Sequence, residues 1–570
     1  MVQGILVLCI MFLGQLITYK MKNKIMNTKY IGLLLIFLGL AACSELEDVD
    51  RIDPVAELPA LTSGSVDFSK YVAVGASFTA GFTDNALFIK GQENSFPNIM
   101  AKEFAKVGGG AFTQPLMNDN IGGFLAGGVQ STSYLPRLYF NGAGPALLPA
   151  TSTTIQSTVL ANSPFNNLGV PGAKSFHLTI AGYGALNPYF GRMAKTAGSS
   201  MVSDALLLQP TFFSLSEIGG NDVLAYATGG GVGVDRTNDA TNPALYGQAD
   251  ITNPVVFEQV FTGVVNTLTA GGAKGVVGTV PYITRLPYFT TVPFKPLSPA
   301  NPSFGPLIPT LNGVFGQLNQ VYAYLQSQGV TNATARSIVF STTAASAVVI
   351  KDETLVNLSA QIEGVLNLSP TFPAFVQSFG LPAAAAPLVA NLFGTIYGQT
   401  RQATAADLLV LPSSSVIGTV NTTTYSNLLL AGLPASLAGQ FSVEGVTNPL
   451  ADKWVLLPSE QLAVKNAVDA YNITINNVAT AKGLAVVDFS AILESGATTG
   501  IITNPFILTT KLVTGGLVSL DGVHLTSRGY AVMANKFLEA IDATYGSNFV
   551  ASGNVAKAGD YPTNYNPALR

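Results

Sequence analysis

Short apolar runs alternate with stretches of helical period along most of this chain, and the alternation predicts strands separated by helices. YVAVGAS (Tyr71 to Ser77) is apolar and ends in small residues, as expected of a parallel strand buried on both faces whose carboxyl end delivers Ser77 to a crevice. A helix is predicted over Phe96 to Val107. PTFFSLSEIGGND (Pro210 to Asp222) reads as a second buried strand leading into a turn. Helix Val255 to Leu268 with strand Lys274 to Val280 adds a βαβ step, and helix Pro458 to Lys482 before LAVVDFS (Leu484 to Ser490) adds another. A last helical run covers Thr526 to Ala543. The fold class expected is α/β, a parallel central sheet covered by helices on both faces.

Two regions break the pattern. Gly108 to about Pro164 is rich in Gly, Ser, Thr and Pro, and is expected to form a long loop system across the crevice mouth. Residues 285–457 hold helical stretches at Pro309 to Gln328, Leu355 to Leu368 and Pro382 to Tyr397, a mainly helical insertion large enough to form a cap. Its run from Leu381 to Gly398 fits a packing helix better than a lipid-facing lid, since two prolines interrupt it.

The N-terminus adds an address. Lys22, Lys24 and Lys29 precede an apolar run, Ile31 to Leu40, that closes on LAAC (Leu40 to Cys43), the pattern of a signal peptide. LAAC resembles a bacterial lipobox, which implies that residues 1–43 are a signal segment and that Cys43 carries the lipid; translation is then expected to start at Met21 or Met26. The other cysteine, Cys9, lies upstream, so the mature chain is expected to have no disulfide. Ser44, Glu45, Glu47, Asp48 and Asp50 begin an acidic tether over 44–66. The folded domain is expected over 67–550, with a C-terminal tail at 551–570. The expected location is the bacterial cell envelope, lipid-anchored to the outer membrane, with the periplasmic and surface faces both open.

Composition then narrows the chemistry. The chain has 570 residues, 48% of them hydrophobic and 11% charged, enough apolar content for a large core. A net charge of -4 without a Lys/Arg cluster argues against a nucleic-acid partner, whose phosphates demand a basic surface, and none is expected. There are two histidines, His177 and His524. Three positions before His524 stands Asp521, so a carboxylate can orient one ring nitrogen while the other takes a proton from a serine. His177 has no carboxylate near it in sequence and is expected to pack or to touch substrate. Asp222 is expected to serve the turn beside Asn221. Too few His and Cys remain for a metal centre, and no cofactor motif is present.

A serine hydroxyl needs a base, an orienting carboxylate and donors for the oxyanion. Ser77, in GASFTAG (Gly75 to Gly81), is the candidate nucleophile, and its own N–H a candidate donor. GGND (Gly219 to Asp222) offers the Asn221 amide. NNLGVPGAKS (Asn166 to Ser175) offers the N–H of Gly172, since glycine allows close backbone approach. Thr79 stands where an α/β-hydrolase elbow has its last glycine, which disfavours that class.

Each segment alone is a weak signal, but their order is informative. GASF, NLGVPG, GGND and DGVH (Asp521 to His524) resemble the four blocks of the GDSL or SGNH hydrolases, with Ala76 where that family often has Asp. The resemblance spans about Val66 to Gly546 and leaves the insertion unexplained. It implies a flavodoxin-like three-layer α/β/α sandwich and hydrolysis of carboxylic esters. Ser77 would attack, His524 act as base, Asp521 orient it, and Ser77, Gly172 and Asn221 bind the oxyanion. The expected substrate is a lipid ester or an acyl or acetyl ester of a glycan. The alternative is a non-catalytic surface lipoprotein that binds glycan or lipid on the same fold.

Overall fold

The computed structural model describes residues 57–570, and Ala60–Arg570 form one compact unit. The expectations for the signal segment, for Cys43 and for most of the acidic tether lie outside the described residues.

Five strands form the central sheet: β1 (Tyr71–Gly75), β2 (Asn167–Gly169), β3 (Phe212–Ser216), β4 (Lys274–Gly278) and β5 (Ala485–Val487). Their order is β2-β1-β3-β4-β5, and every pairing is parallel. Such short, mostly apolar runs suit strands covered on both faces, and all but Lys274 and Val486 of their residues are buried. Alternation assigns successive side chains to opposite faces. Tyr71, Ala73, Phe212, Val276 and Val487 meet Phe96, Phe104, Tyr530 and Phe537, from the helices Phe96–Phe104 and Ser527–Tyr545. Val72, Val74, Phe213, Leu215 and Val277 meet Met201, Phe257, Phe261 and Tyr471, from the helices Met201–Leu207, Pro254–Thr269 and Pro458–Lys482. The sheet is thus a buried middle layer. Its chain path reverses between β1 and β3, and at that switch point the strands' carboxyl ends open a crevice.

Five predicted helices fall within three residues of their expected limits, including Phe96–Phe104 and Pro458–Lys482. The helix Asn221–Thr228 and strand β2 were read as turn and loop, because three buried residues or a glycine-led start give no periodicity to detect. The region 108–164 holds only two small ladders, Leu125–Ala126 with Val129–Gln130 and Leu138–Phe140 with Pro145–Leu147. Residues from Val292 to Leu457 pack around a second hydrophobic core, whose longest helix is Ile308–Ser327.

Residues at both flanks of the domain pack against it. Packing begins inside the stretch read as tether: Thr62 N–H donates to Asn548 Oδ1 at 2.8 Å, and Val66 is buried. The tail is also fixed. Arg137, fully buried, donates to the carbonyls of Tyr565, Asn566 and Leu569, and Tyr565 packs its ring on Phe88. A guanidinium without water needs such acceptors, so the last residues of the chain complete its shell.

Candidate functional site

Strand β1 ends at Gly75, Ala76 breaks the extended path (φ −111, ψ −130), and Ser77 opens the short helix Ser77–Ala80. The helix lies close over β2. A Cβ added at Gly169 would sit 2.2 Å from Ala80 N, so only glycine admits this approach. Beneath the turn is Glu217, a buried residue in the left-handed region at φ +48. Its Oε1 accepts the N–H groups of Ala76 (2.6 Å) and Thr79 (2.9 Å), and its Oε2 accepts the Thr79 hydroxyl at 3.2 Å. Burial pushes its carboxyl up to about 7, against these bonds, which favour the charged form. Among the described residues the Ser77 N–H has no partner, so it is available as a donor.

At the end of β3, Asn221 begins its helix and donates through Nδ2 to Ala173 O at 2.9 Å. One amide hydrogen remains. Asp222, fully buried, accepts the Ser175 N–H (2.9 Å) and hydroxyl (2.7 Å). Adjacent residues of GGND therefore fasten the loop 172–175 from both sides. Gly172 adopts φ +79 on the surface of that loop, and its N–H makes no hydrogen bond among the described residues.

The third segment is the turn Asp521–His524. Asp521 Oδ2 accepts His524 Nδ1–H at 3.0 Å and Asn85 N–H at 2.8 Å, while Oδ1 accepts the backbone N–H groups of Val523 and His524 at 2.8 Å each. Burial alone would raise this carboxyl. The neighbouring His524 and these donors outweigh it and hold Asp521 well below the usual carboxylate range. An ionised Asp521 can only accept, so Nδ1 carries a proton, and it is the neutral form of this ring that presents a lone pair at Nε2. The His524 ring packs against Phe82 (4.6 Å between centroids) and Phe78 (5.7 Å). Thr526 then caps the last helix, its hydroxyl accepting Gly529 N–H at 2.9 Å, which fixes where the turn ends.

Asp84 supports this turn. Its Oδ1 accepts Leu520 N–H at 3.1 Å, and its own N–H donates to Ser519 Oγ at 3.1 Å. Burial pushes its carboxyl up to about 7, the Leu520 bond opposing and nearby Asp521 reinforcing. Asp84 and Asn85 both adopt positive φ, which their short polar side chains tolerate better than most.

Ser77, Asn221 and His524 line one slot of about 100 Å³, together with Glu217 and apolar side chains such as Leu224, Leu286, Phe489 and Met533. No hydrogen bond joins Ser77 to His524, a pair that unliganded sites commonly hold apart until substrate tightens them. Gly172 does not line the slot. His177 packs: its Nδ1 accepts Lys174 N–H at 3.0 Å, its ring stacks on Tyr183, and burial lowers it to about 4. Glu217, Asp84 and Asn85 are site residues that no motif in the sequence marks. The charged residue inside the buried strand pattern FFSLSE was the available signal for Glu217, and the polar pair after the serine helix the signal for the others.

Comparison with known proteins finds no matching family model, no similar curated protein and no similar solved structure.

Proposed function

We propose that the protein is an SGNH-type serine hydrolase that cleaves carboxylic esters through an acyl-enzyme. The observation that carries this is the convergence of Ser77, Asn221 and an Asp521-bonded His524 on one slot at the carboxyl ends of parallel strands. In this mechanism Ser77 Oγ attacks the ester carbonyl as His524 Nε2 takes its proton. The oxyanion accepts from Ser77 N–H and Asn221 Nδ2–H. Gly172 is assigned a third donor by the resemblance alone. His524 returns the proton to the departing alcohol, and water, activated by the same imidazole, releases the acid.

The apolar slot wall favours an acyl group as the part held there, which fits a lipid ester and also an acylated glycan. In this reading Val292 to Leu457 is an insertion in the hydrolase fold, and the chain is anchored to the envelope through lipidated Cys43. The alternative, a binding lipoprotein without catalysis, draws on the missing Ser77–His524 bond. Hydrolysis of a chromogenic series from acetyl to palmitoyl esters, run beside Ser77→Ala, decides between them. We expect turnover that vanishes in the variant; turnover equal in both, or absent in both, rejects the hydrolase.

A further inference from the structure

A second cavity lies away from Ser77, in the segment between Thr291 and Thr447. It measures about 920 Å³ against about 100 Å³ for the slot, near the upper end for small-ligand sites. Phe304, Leu311, Val314, Phe379 and Phe441 are among its many apolar lining residues, and hydroxyl and amide side chains stand between them. Among the described residues no charged side chain lines it. A phosphate or other ionic ligand would lose hydration there with no counter-charge to replace it, whereas hydrocarbon gains by leaving water. Leu307, at the wall, is an exposed large apolar residue.

The wall of this cavity also touches the catalytic turn. Leu411 lines the cavity and packs on Gly522, where an added Cβ would lie 3.1 Å from its Cδ2. Tyr288 N–H donates to Gly522 O at 3.0 Å, and Val292, another wall residue, bridges to Leu409. Gly522 follows Asp521 directly. An occupant of the cavity would therefore press against the segment that carries the base.

We propose that this cavity binds the long fatty acyl chain of an ester lipid, separately from the acyl group held in the slot. The hydrocarbon site rests on the cavity's chemistry; the choice of an ester lipid rests on the hydrolase reading and on the contact with Gly522. The test is a titration of the full chain with anthroyloxy-stearate, read by fluorescence. We expect saturable binding, kept in Ser77→Ala and weakened tenfold or more in both Leu307→Asp and Ser436→Trp, two substitutions at exposed positions of the wall that leave the cores untouched. Absence of saturable binding to the wild type, binding indifferent to both substitutions, or binding lost in Ser77→Ala overturns the proposal. So does a dimer that Leu307→Asp dissociates, which would make the cavity a face between two copies. Turnover plays no part in this titration, so an inert Ser77 would sink the hydrolase reading while leaving the binding result standing.

Discussion

Two side chains at the slot separate chemistry from support. Asn221 spends one amide hydrogen on Ala173 O and keeps the other for the slot. Asn221→Ala is expected to lower kcat by roughly 100- to 1,000-fold, while the lost loop bond costs only about 1 kcal/mol of stability. Steady-state kinetics with a urea titration checks both, and a variant that loses stability but keeps kcat contradicts the assignment. Glu217 makes the opposite case. Its carboxyl is raised from 4.5 to about 7 in the folded chain, so between those pH values the folded state holds a proton that the unfolded state releases. Stability from this group is therefore greatest below about pH 4.5 and falls as pH rises through 7. Glu217→Gln removes that slope, and relative to the wild type it should gain about 2–3 kcal/mol from pH 4.5 to 8, at about 1.4 kcal/mol per pKa unit. Parallel urea midpoints across that range would refute it. Asp521 and His524 were legible because three-residue spacing brings a carboxylate to an imidazole within one turn. The Glu217 contact was not, since 141 residues separate it from Ala76.

At the scale of elements, the site depends on how closely the serine helix rides over β2. Gly169→Ala would place a methyl 2.2 Å from Ala80 N, and backbone cannot yield as a side chain can. We expect a loss of about 1–3 kcal/mol, seen as a lower urea midpoint, with esterase activity falling further than stability because Ser77 is displaced. Unchanged activity in a folded variant would show that this approach is not needed. Long amphipathic helices were legible because ten or more residues repeat the period, as in Pro458–Lys482. Strand β2, at three residues, is shorter than any alternation can reveal, and it is defined only by pairing with β1. Its loop, 172–175, was recognised through its glycines, but the grip of Asp222 on Ser175 needs β2 and β3 placed on either side of β1.

For the whole molecule, the ends of the described chain are structural parts. Removing residues 562–570 strips Arg137 of the Tyr565, Asn566 and Leu569 carbonyls and leaves a buried guanidinium short of acceptors. We expect a loss of about 1–3 kcal/mol, the scale of hydrogen bonds lost by a charged group, with the urea midpoint falling accordingly; an unchanged midpoint would show that Arg137 finds other acceptors. The α/β layering was legible from alternating element types, whereas strand order was not, because a crossover leaves no local trace in sequence. In the proposed mechanism Ser77 is a nucleophile activated by His524. The most direct measurement is mass spectrometry after exposure to a fluorophosphonate, which bonds phosphorus to an activated serine oxygen and expels fluoride. We expect one adduct per chain, mapped to Ser77 and absent from Ser77→Ala and His524→Ala; no adduct, or one on another residue, would contradict the role of Ser77.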